Sequence, residues 1–473
     1  GGMVTGAVLL LCAIGGEAAI RSVVFASRHG TRAPNPIVGE ICPGLLPTLK
    51  RYSDIGIAPA GVTGNGLREM YGVGVFAQAR YITSETGFLS NYWDPREIRM
   101  VAAAEDRTLQ SGSAFGQGMY GGPVGFTGYR EPVPVSLWAV KGEDNLGEAR
   151  KAACKQRLKI DTQNWDITEG KTMYHKHSAT VHALNDLCKT DIRESFTYTN
   201  GKENFGDAVK DITDAMMFSV RENFPLQFNT SLYEDSRRLA LRQLYGRLLS
   251  KPEQHTYMVG EFPGKILKTF NDVLNNDPRG VKMFGYHGHR ELLYALAKFF
   301  DISFEFDMAG FQEHGIPSAT TLFFELHDLN STEAKTNDLS DAGMYVRLVV
   351  YAPCKKLTDL EKGPAEVFCK GIGYRFGFHP HSDFVPYDTF VGHITNTIKR
   401  TGSYVDLCIN QDLHAKQSTP HSKTAAAAAP SAESVSVMKK VFTIGVYVLV
   451  PLILVALGIL VSPYIRRCGY TSV

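Results

Sequence analysis

The chain has 473 residues, 44% of them hydrophobic, and its 50 basic residues against 48 acidic leave a net charge of +2. That hydrophobic content excludes a wholly disordered chain and supports a sizeable core. The charge balance gives no support for a nucleic-acid or polybasic membrane-surface partner, so any anion must be bound locally.

Met3 to Ala18 is a short apolar run closing on Gly16-Glu17-Ala18, the pattern of a secretory signal peptide cut near Ala18. From Ile20 to Ala26 a β-branched and apolar run predicts a buried strand. It breaks into Arg28-His29-Gly30-Thr31-Arg32-Ala33-Pro34, a loop of the kind that ends a strand at the carboxyl edge of an open sheet. Arg28 and Arg32 offer forked, permanently charged donors for phosphoryl oxygens, and His29 between them is a candidate nucleophile. The pattern Arg-His-Gly-x-Arg-x-Pro after a buried strand resembles the histidine acid phosphatase family. The resemblance implies a phosphomonoesterase that works through a phosphohistidine on His29.

Cys42 to Ala60 is rich in Pro, Gly and Tyr and is expected to loop near the crevice. Leu67 to Ile82 has helical spacing weakened by Gly72 and Gly74. Thr63-x-x-Gly66-x-x-Glu69 resembles the family's next segment, where glutamine is usual at the Glu69 position. A second short strand, Ile98 to Ala103, runs into Glu105-Asp106-Arg107-Thr108 and a small-residue helix. Spacing alone favours an ion pair between Arg107 and its acidic neighbours. The resemblance implies instead that Arg107 is a third phosphate-binding arginine, aided by helix N-terminal amides. Gly116-x-Gly118-x-x-Gly121 matches a dinucleotide fingerprint in form only, because these glycines are expected at or beyond a helix end with no strand before them.

Between Lys141 and Pro252 charge and helical spacing rise and strand-like runs disappear, so this block is expected to be a helical insert capping the crevice. Ala208 to Phe218 and Ser236 to Leu249 are its best helices. His175, His177 and His182 lack a carboxylate at ligand spacing and read as solvated. At Val281 to Tyr286 a strand returns, followed by His287-Gly288-His289-Arg290-Glu291 and an apolar helix, Leu292 to Phe300. The family carries a His-Asp pair at such a junction, its histidine binding phosphate and its aspartate protonating the leaving oxygen. Here Arg290 follows His289. The spacing His-x-Glu resembles the multiple inositol polyphosphate phosphatase branch, which implies Glu291 as the donor. The literal pair His327-Asp328 is set aside because a strand precedes it and no helix is expected after it.

Leu322 to Leu326 and Tyr345 to Ala352 alternate as an antiparallel hairpin, and His379-Pro380-His381 reads as a loop. Lys416 to Val437 is a Ser, Thr, Ala and Pro-rich stalk. Val441 to Ile465 carries no charge and is long enough to span a bilayer. With the signal peptide it implies a single-pass type I protein whose cytosolic tail is 466–473. Tyr470 and Val473 in that tail resemble a tyrosine-based sorting signal that an adaptor could read, pointing to a lysosome-like acidic compartment with the plasma membrane as the alternative.

Of eight cysteines, Cys12 falls in the signal run and Cys468 in the tail. The remaining six leave their pairing open. A local Cys354–Cys369 loop is expected, and the resemblance implies Cys154 with Cys408. Asn229 and Asn330 begin glycosylation sequons and should be on the surface.

These readings give an α/β fold with a mixed central sheet and helices on both faces, like that of the phosphoglycerate mutase-like histidine phosphatases. Its core comprises 19–140 and 253–415, with a cap at 141–252, a stalk at 416–440, a membrane helix at 441–465 and the tail. The chemistry implied is a two-step phosphoryl transfer from a phosphomonoester with no metal or other cofactor. His29 is the nucleophile, Arg28, Arg32, Arg107 and His289 bind the phosphoryl oxygens, and Glu291 protonates the leaving group. An inositol polyphosphate phosphatase, a mutase-like transferase and a catalytically weak phosphate-binding ectodomain are the competing readings.

Overall fold

The computed structural model describes residues 19–83, 87–121, 133–192, 197–198, 202–203, 205–302, 315–337, 339, 341–352 and 372–410. All belong to the first of the chain's two units, Gly1–His414. No helix among them is long and apolar enough to cross a membrane. The signal run, the stalk, Val441–Ile465, the tail, Cys354 and Cys369 lie outside the described residues.

The first strand, β1 (Ala19–Arg28), is at the centre of an eight-stranded mixed sheet. On one side it pairs in parallel with β4 (Met283–Gly288), which continues in parallel to β2 (Ile98–Ala102) and the short β3 (Ser136–Leu137). On its other side β1 is antiparallel to β5 (Thr321–Leu329), which forms the expected hairpin with β6 (Gly343–Tyr351). The short strands β7 (Ile372–Tyr374) and β8 (Phe384–Pro386) both pair with β6.

Strand alternation sorts β1 onto two cores. Val23 and Phe25 join a cluster with α1 (Gly64–Tyr81) and α2 (Asp106–Tyr120), whereas Val24 and Ala26 join one with α7 (Pro252–Val259), α8 (Phe262–Leu274) and α9 (Arg290–Phe299). Helices therefore cover both faces, as a buried strand without polar alternation requires. The glycine-rich run departs from expectation: Gly116 and Gly118 lie inside α2, and only Gly121 caps it. Gly118 and Gly74 let the two helices approach closely, since a Cβ on Gly118 would stand 2.1 Å from the Tyr71 carbonyl oxygen of α1, and one on Gly74 2.1 Å from that of Phe115 of α2; Gly116 faces the Val133 side chain.

A third core belongs to the helical block. It joins α4 (Ser178–Cys188), α5 (Phe205–Arg221) and the start of α6 (Thr230–Leu248) to Ala33, Val38, Ile41 and Tyr52 from the segment after β1. The disulfide Cys42–Cys188 ties these parts together, a pairing the sequence left open, and Cys154–Cys408 forms as the resemblance implied. The flanks of the block, Leu146 to Cys154 and Leu241 to Leu249, pack with the sheet-side cluster instead, as does Leu158 of α3 (Lys155–Trp165). Cys42 to Ala60 is not a plain loop: Pro43–Leu45 and Leu46–Asp54 are helical. Asn229 and Asn330 are both exposed N-caps.

Candidate active site

Register puts the ends of three strands level. Arg28 pairs with Gly288 and Ala102 with His287, so the parallel strands β1, β4 and β2 end together. Their exits, His29, His289 and Ala104 to Arg107, open into one cavity of about 800 Å³, and Arg28, Arg32 and Glu291 line it as well. A crevice outside the carboxyl ends of parallel strands is where such sheets bind ligands. All six residues singled out from the sequence therefore meet, although they come from three separate stretches of chain.

His29 is 5% exposed, and its Nδ1 is 2.8 Å from the Gly30 carbonyl oxygen. A carbonyl only accepts, so Nδ1 carries the proton and Nε2 keeps the lone pair. Burial, then the positive charges of Arg28 and Arg32, hold the imidazole pKa well below its ordinary value. The ring is thus neutral even in acid and able to act as a nucleophile. His289 stands edge-on to it, ring centroids 5.5 Å apart, and burial depresses its pKa to about 4.

The arginines are anchored by carbonyls and rings. Arg28 donates to the Ile316 carbonyl and Arg32 to that of Ala33 at 2.8 Å, while the Arg32 guanidinium lies 4.8 Å from the centroid of Phe218 on α5. Arg107 is paired with Glu105, as the spacing argued, yet it also lines the cavity. The Nε atoms of Arg28, Arg32 and Arg107 and the Nε2 of His289 are buried without a hydrogen-bond partner in the protein. Buried polar atoms without partners are costly, and the four side chains that carry them line one cavity, a cationic set suited to an oxyanion.

Glu291 is in the first turn of α9, whose N-cap is His289. Its Oε1 is 3.8 Å from Arg290 Nε and its Oε2 is 3.8 Å from Arg150 Nη2. Burial raises its pKa, but the opposing field of Arg150, Arg290, His289 and Lys210 carries it well below the ordinary carboxylate value. Without an anion in the site, Glu291 is ionised.

Asp328 is far from this chemistry. Thr321 at the start of β5 pairs with Ser27 beside the site, but Asp328 pairs with Ala19 at the opposite end of β1. Seven residues of extended chain separate the two ends, roughly 23 Å at strand rise. One ground for setting the pair aside nevertheless fails: a helix does open after it, α10 (Ser331–Thr336), because Asn330 accepts from the amides of Thr332 and Glu333. The neighbouring His327 is part of a buried network, bonded to Glu325 at 2.9 Å; Glu325 also takes Arg80 and Tyr81.

Sequence reasoning missed the contribution of the helical block. Asp214 on α5 forms a two-pronged pair with Arg290 at 2.7 and 3.1 Å, and Lys210 lies 3.4 Å from the same carboxylate. Lys210, Asp214 and Phe218 recur every four residues and so share one helix face, a spacing that could have marked α5 as facing the site. Nothing comparable marks Arg150, which is in a non-repetitive segment. His175 and His182 are exposed on the block and do not line the cavity.

The sequence model described as the histidine phosphatase superfamily (branch 2) matches residues 19–351. No curated protein matches the chain in sequence. In fold, it resembles the phytase from Citrobacter braakii, with a TM-score of 0.58 at 15% identity, covering 80% of this chain and 98% of that one. The phytase from Klebsiella sp. ASR1 gives 0.56 at 17% identity, covering 81% and 96%. The multiple inositol polyphosphate phosphatase of Bifidobacterium longum, solved with phosphate, gives 0.50 at 11%, covering 78% and 91%.

Proposed function

Because the chain belongs to branch 2 of the histidine phosphatase superfamily, we propose that this histidine acid phosphatase hydrolyses phosphate monoesters through a phosphohistidine on His29. The observation that carries this reading is the pairing of a neutral His29, whose Nε2 lone pair is left free by the Nδ1 contact with the Gly30 carbonyl, with guanidinium groups that keep unpartnered Nε donors. In the first step Nε2 attacks phosphorus, the N–P bond forms and the ester P–O bond breaks. Arg28, Arg32, Arg107 and His289 hold the other phosphoryl oxygens as charge redistributes.

Glu291 gives the leaving alkoxide its proton. The negative charge of a bound phosphate offsets the cations that otherwise keep this carboxylate ionised, and so raises its pKa. In the second step the ionised Glu291 takes a proton from water as that water displaces the imidazole. His29→Ala should abolish turnover of an aryl phosphate, and Arg107→Ala should lose charge stabilisation of several kcal/mol. Unchanged hydrolysis by His29→Ala, or failure to trap a phosphoenzyme in the wild type, would overturn this mechanism.

An inositol polyphosphate phosphatase is the second reading, supported by the His289-x-Glu291 spacing. Release of phosphate from myo-inositol hexakisphosphate faster than from simple alkyl phosphates would favour it. Outside the described residues, the run Val441–Ile465 supports a single-pass anchor, and Tyr470 with Val473 supports delivery to an acidic, lysosome-like compartment. Extraction of the full chain by alkaline carbonate would count against the anchor. Unaltered distribution of a Tyr470→Ala variant would count against the sorting signal.

A further inference from the structure

A short strap of chain, Gly315 to Thr320, leads into β5 and grips the loop that carries His29 at three points. The Ala319 amide donates to the His29 carbonyl at 3.1 Å, the Arg28 amide donates to the Thr320 carbonyl at 2.9 Å, and the Arg28 guanidinium donates to the Ile316 carbonyl. That last contact is the only side-chain hydrogen bond of Arg28 among the described residues, and its Nε has no partner. The strap is held in turn from α9, because the Ile316 amide donates to the Tyr294 hydroxyl at 2.6 Å. Arg28, Ile316 and Tyr294 are all buried. Tyr294 does not line the cavity of the candidate active site; with Gly315 and Ile316 it lines a separate space of about 30 Å³ walled by α5, α6 and α9. Its ring meets Tyr245 of α6 edge-on, centroids 5.4 Å apart. Gly315 has a φ of +76°, and a Cβ there would be 2.9 Å from the Tyr294 hydroxyl oxygen, so a side chain at 315 would strain the strap and push the phenol away.

We propose that Tyr294 is a positioning residue for Arg28, acting through the backbone of Ile316. This rests on the reading above that Arg28 holds a phosphoryl oxygen. A guanidinium has a rigid fork, so a carbonyl that takes one Nη1 fixes where the remaining donors point. The place of that carbonyl depends on what the amide of the same residue is bonded to. A buried amide is costly to leave unpaired, so the Tyr294 hydroxyl pins Ile316. Arg290 and Tyr294 are four residues apart and share one face of α9, whose N-cap is His289 and whose first turn holds Glu291. One rigid helix therefore sets the histidine and the carboxylate directly and the arginine through Tyr294. A small shift of α9 would move all three together, which keeps their spacing constant around the phosphorus.

The test is a double-mutant cycle in the full chain: Tyr294→Phe, Arg28→Ala and the two combined. Affinity for inorganic phosphate is measured by calorimetry, with kcat and KM for p-nitrophenyl phosphate beside it. Tyr294→Phe keeps the ring and its packing, and should weaken phosphate binding and lower kcat/KM about tenfold, whereas in the Arg28→Ala background it should add less than about twofold, because the group it positions is gone. A role in packing alone would cost the same in both backgrounds. Gly315→Ala disturbs the same contact from the strap side and should give the same pattern, so the cycle can be run on it if Tyr294→Phe does not fold. Wild-type phosphate affinity in Tyr294→Phe, or equal losses with and without Arg28, would overturn the positioning role. The role is read on binding, so it is decided separately from the nucleophile: a wild type that binds phosphate without cleaving the aryl ester would overturn the phosphohistidine step alone, and one that does not bind phosphate would overturn both.

Discussion

Thr31 and Glu69 are joined through a single carboxylate: the Thr31 amide donates to Glu69 Oε2 at 2.9 Å and its hydroxyl lies 2.9 Å from both oxygens. Arg221, at the end of α5, donates to the same carboxylate at 3.0 Å. Thr31 is between Gly30 and Arg32, so one buried side chain fixes the loop that carries His29 and Arg32 and ties it to the helix that carries Lys210, Asp214 and Phe218. The glutamate that departs from the family's glutamine thus adds an ion pair across the two parts.

Glu69 is therefore a positioning residue. Glu69→Ala leaves the Thr31 amide and Arg221 unpaired, which should cost about 1–3 kcal/mol of stability and lower kcat at least tenfold with a smaller change in KM. Glu69→Gln keeps an acceptor for the amide and should restore most of kcat. Identical kinetics for the two variants would show that the contact has no bearing on the loop.

Glu291→Gln should slow alkyl phosphates far more than p-nitrophenyl phosphate, because only the poorer leaving group needs a proton in the transition state. Asp328→Asn, at the far end of β5, should leave both rates unchanged. The check is kcat on each ester with each variant; the opposite pattern would move the donor to Asp328.

His287 makes stability depend on pH. It is buried between Phe25 and Phe115, bonded through Nδ1 to Ser27 at 2.8 Å, and burial lowers its pKa to about 3. Between that value and the ordinary one near 6.5 the unfolded chain holds a proton that the folded chain does not, so stability rises with pH in this window. It is fully present above the unfolded value and is lost as pH falls. Going from pH 7 to pH 4 should cost about 3 kcal/mol through this group. His287→Leu should be less stable at pH 7, since Ser27 loses its partner, but its denaturation free energy should fall less on acidification. A drop as large as that of the wild type would contradict the assignment.

A Cβ at Gly30 would lie 2.1 Å from the Gly66 carbonyl oxygen, backbone that cannot step aside cheaply. Gly30→Ala should therefore displace the loop between His29 and Arg32, lowering both activity and melting temperature. Gly64→Ala nearby meets nothing within 4 Å and serves as the control. Wild-type turnover by Gly30→Ala would mean that the loop tolerates a wider spacing.

The sequence by itself determined the strand ending in Arg28-His29, the junctions at Arg107 and His289, and the α/β alternation around them. These are local: a buried strand shows its apolar run, and a strand exit shows its charged residues within a few positions. It also determined the hairpin of β5 and β6, whose pattern is period two. It did not determine what surrounds Glu291, since Arg150 and Lys210 reach it from two other segments and their field, added to that of the neighbouring Arg290, depends on distances that only packing sets. The same is true of Cys42–Cys188, which spans 146 residues, and of Glu69, whose partners come from the catalytic loop and from α5. Gly118 of α2 is illegible for a related reason: inside a helix, glycine lowers the local propensity, and only the approach of α1 to within backbone contact shows why it is there. Asp328 makes the converse point, because the His-Asp pair matched by type and failed by address: strand direction carries it to the wrong end of the sheet.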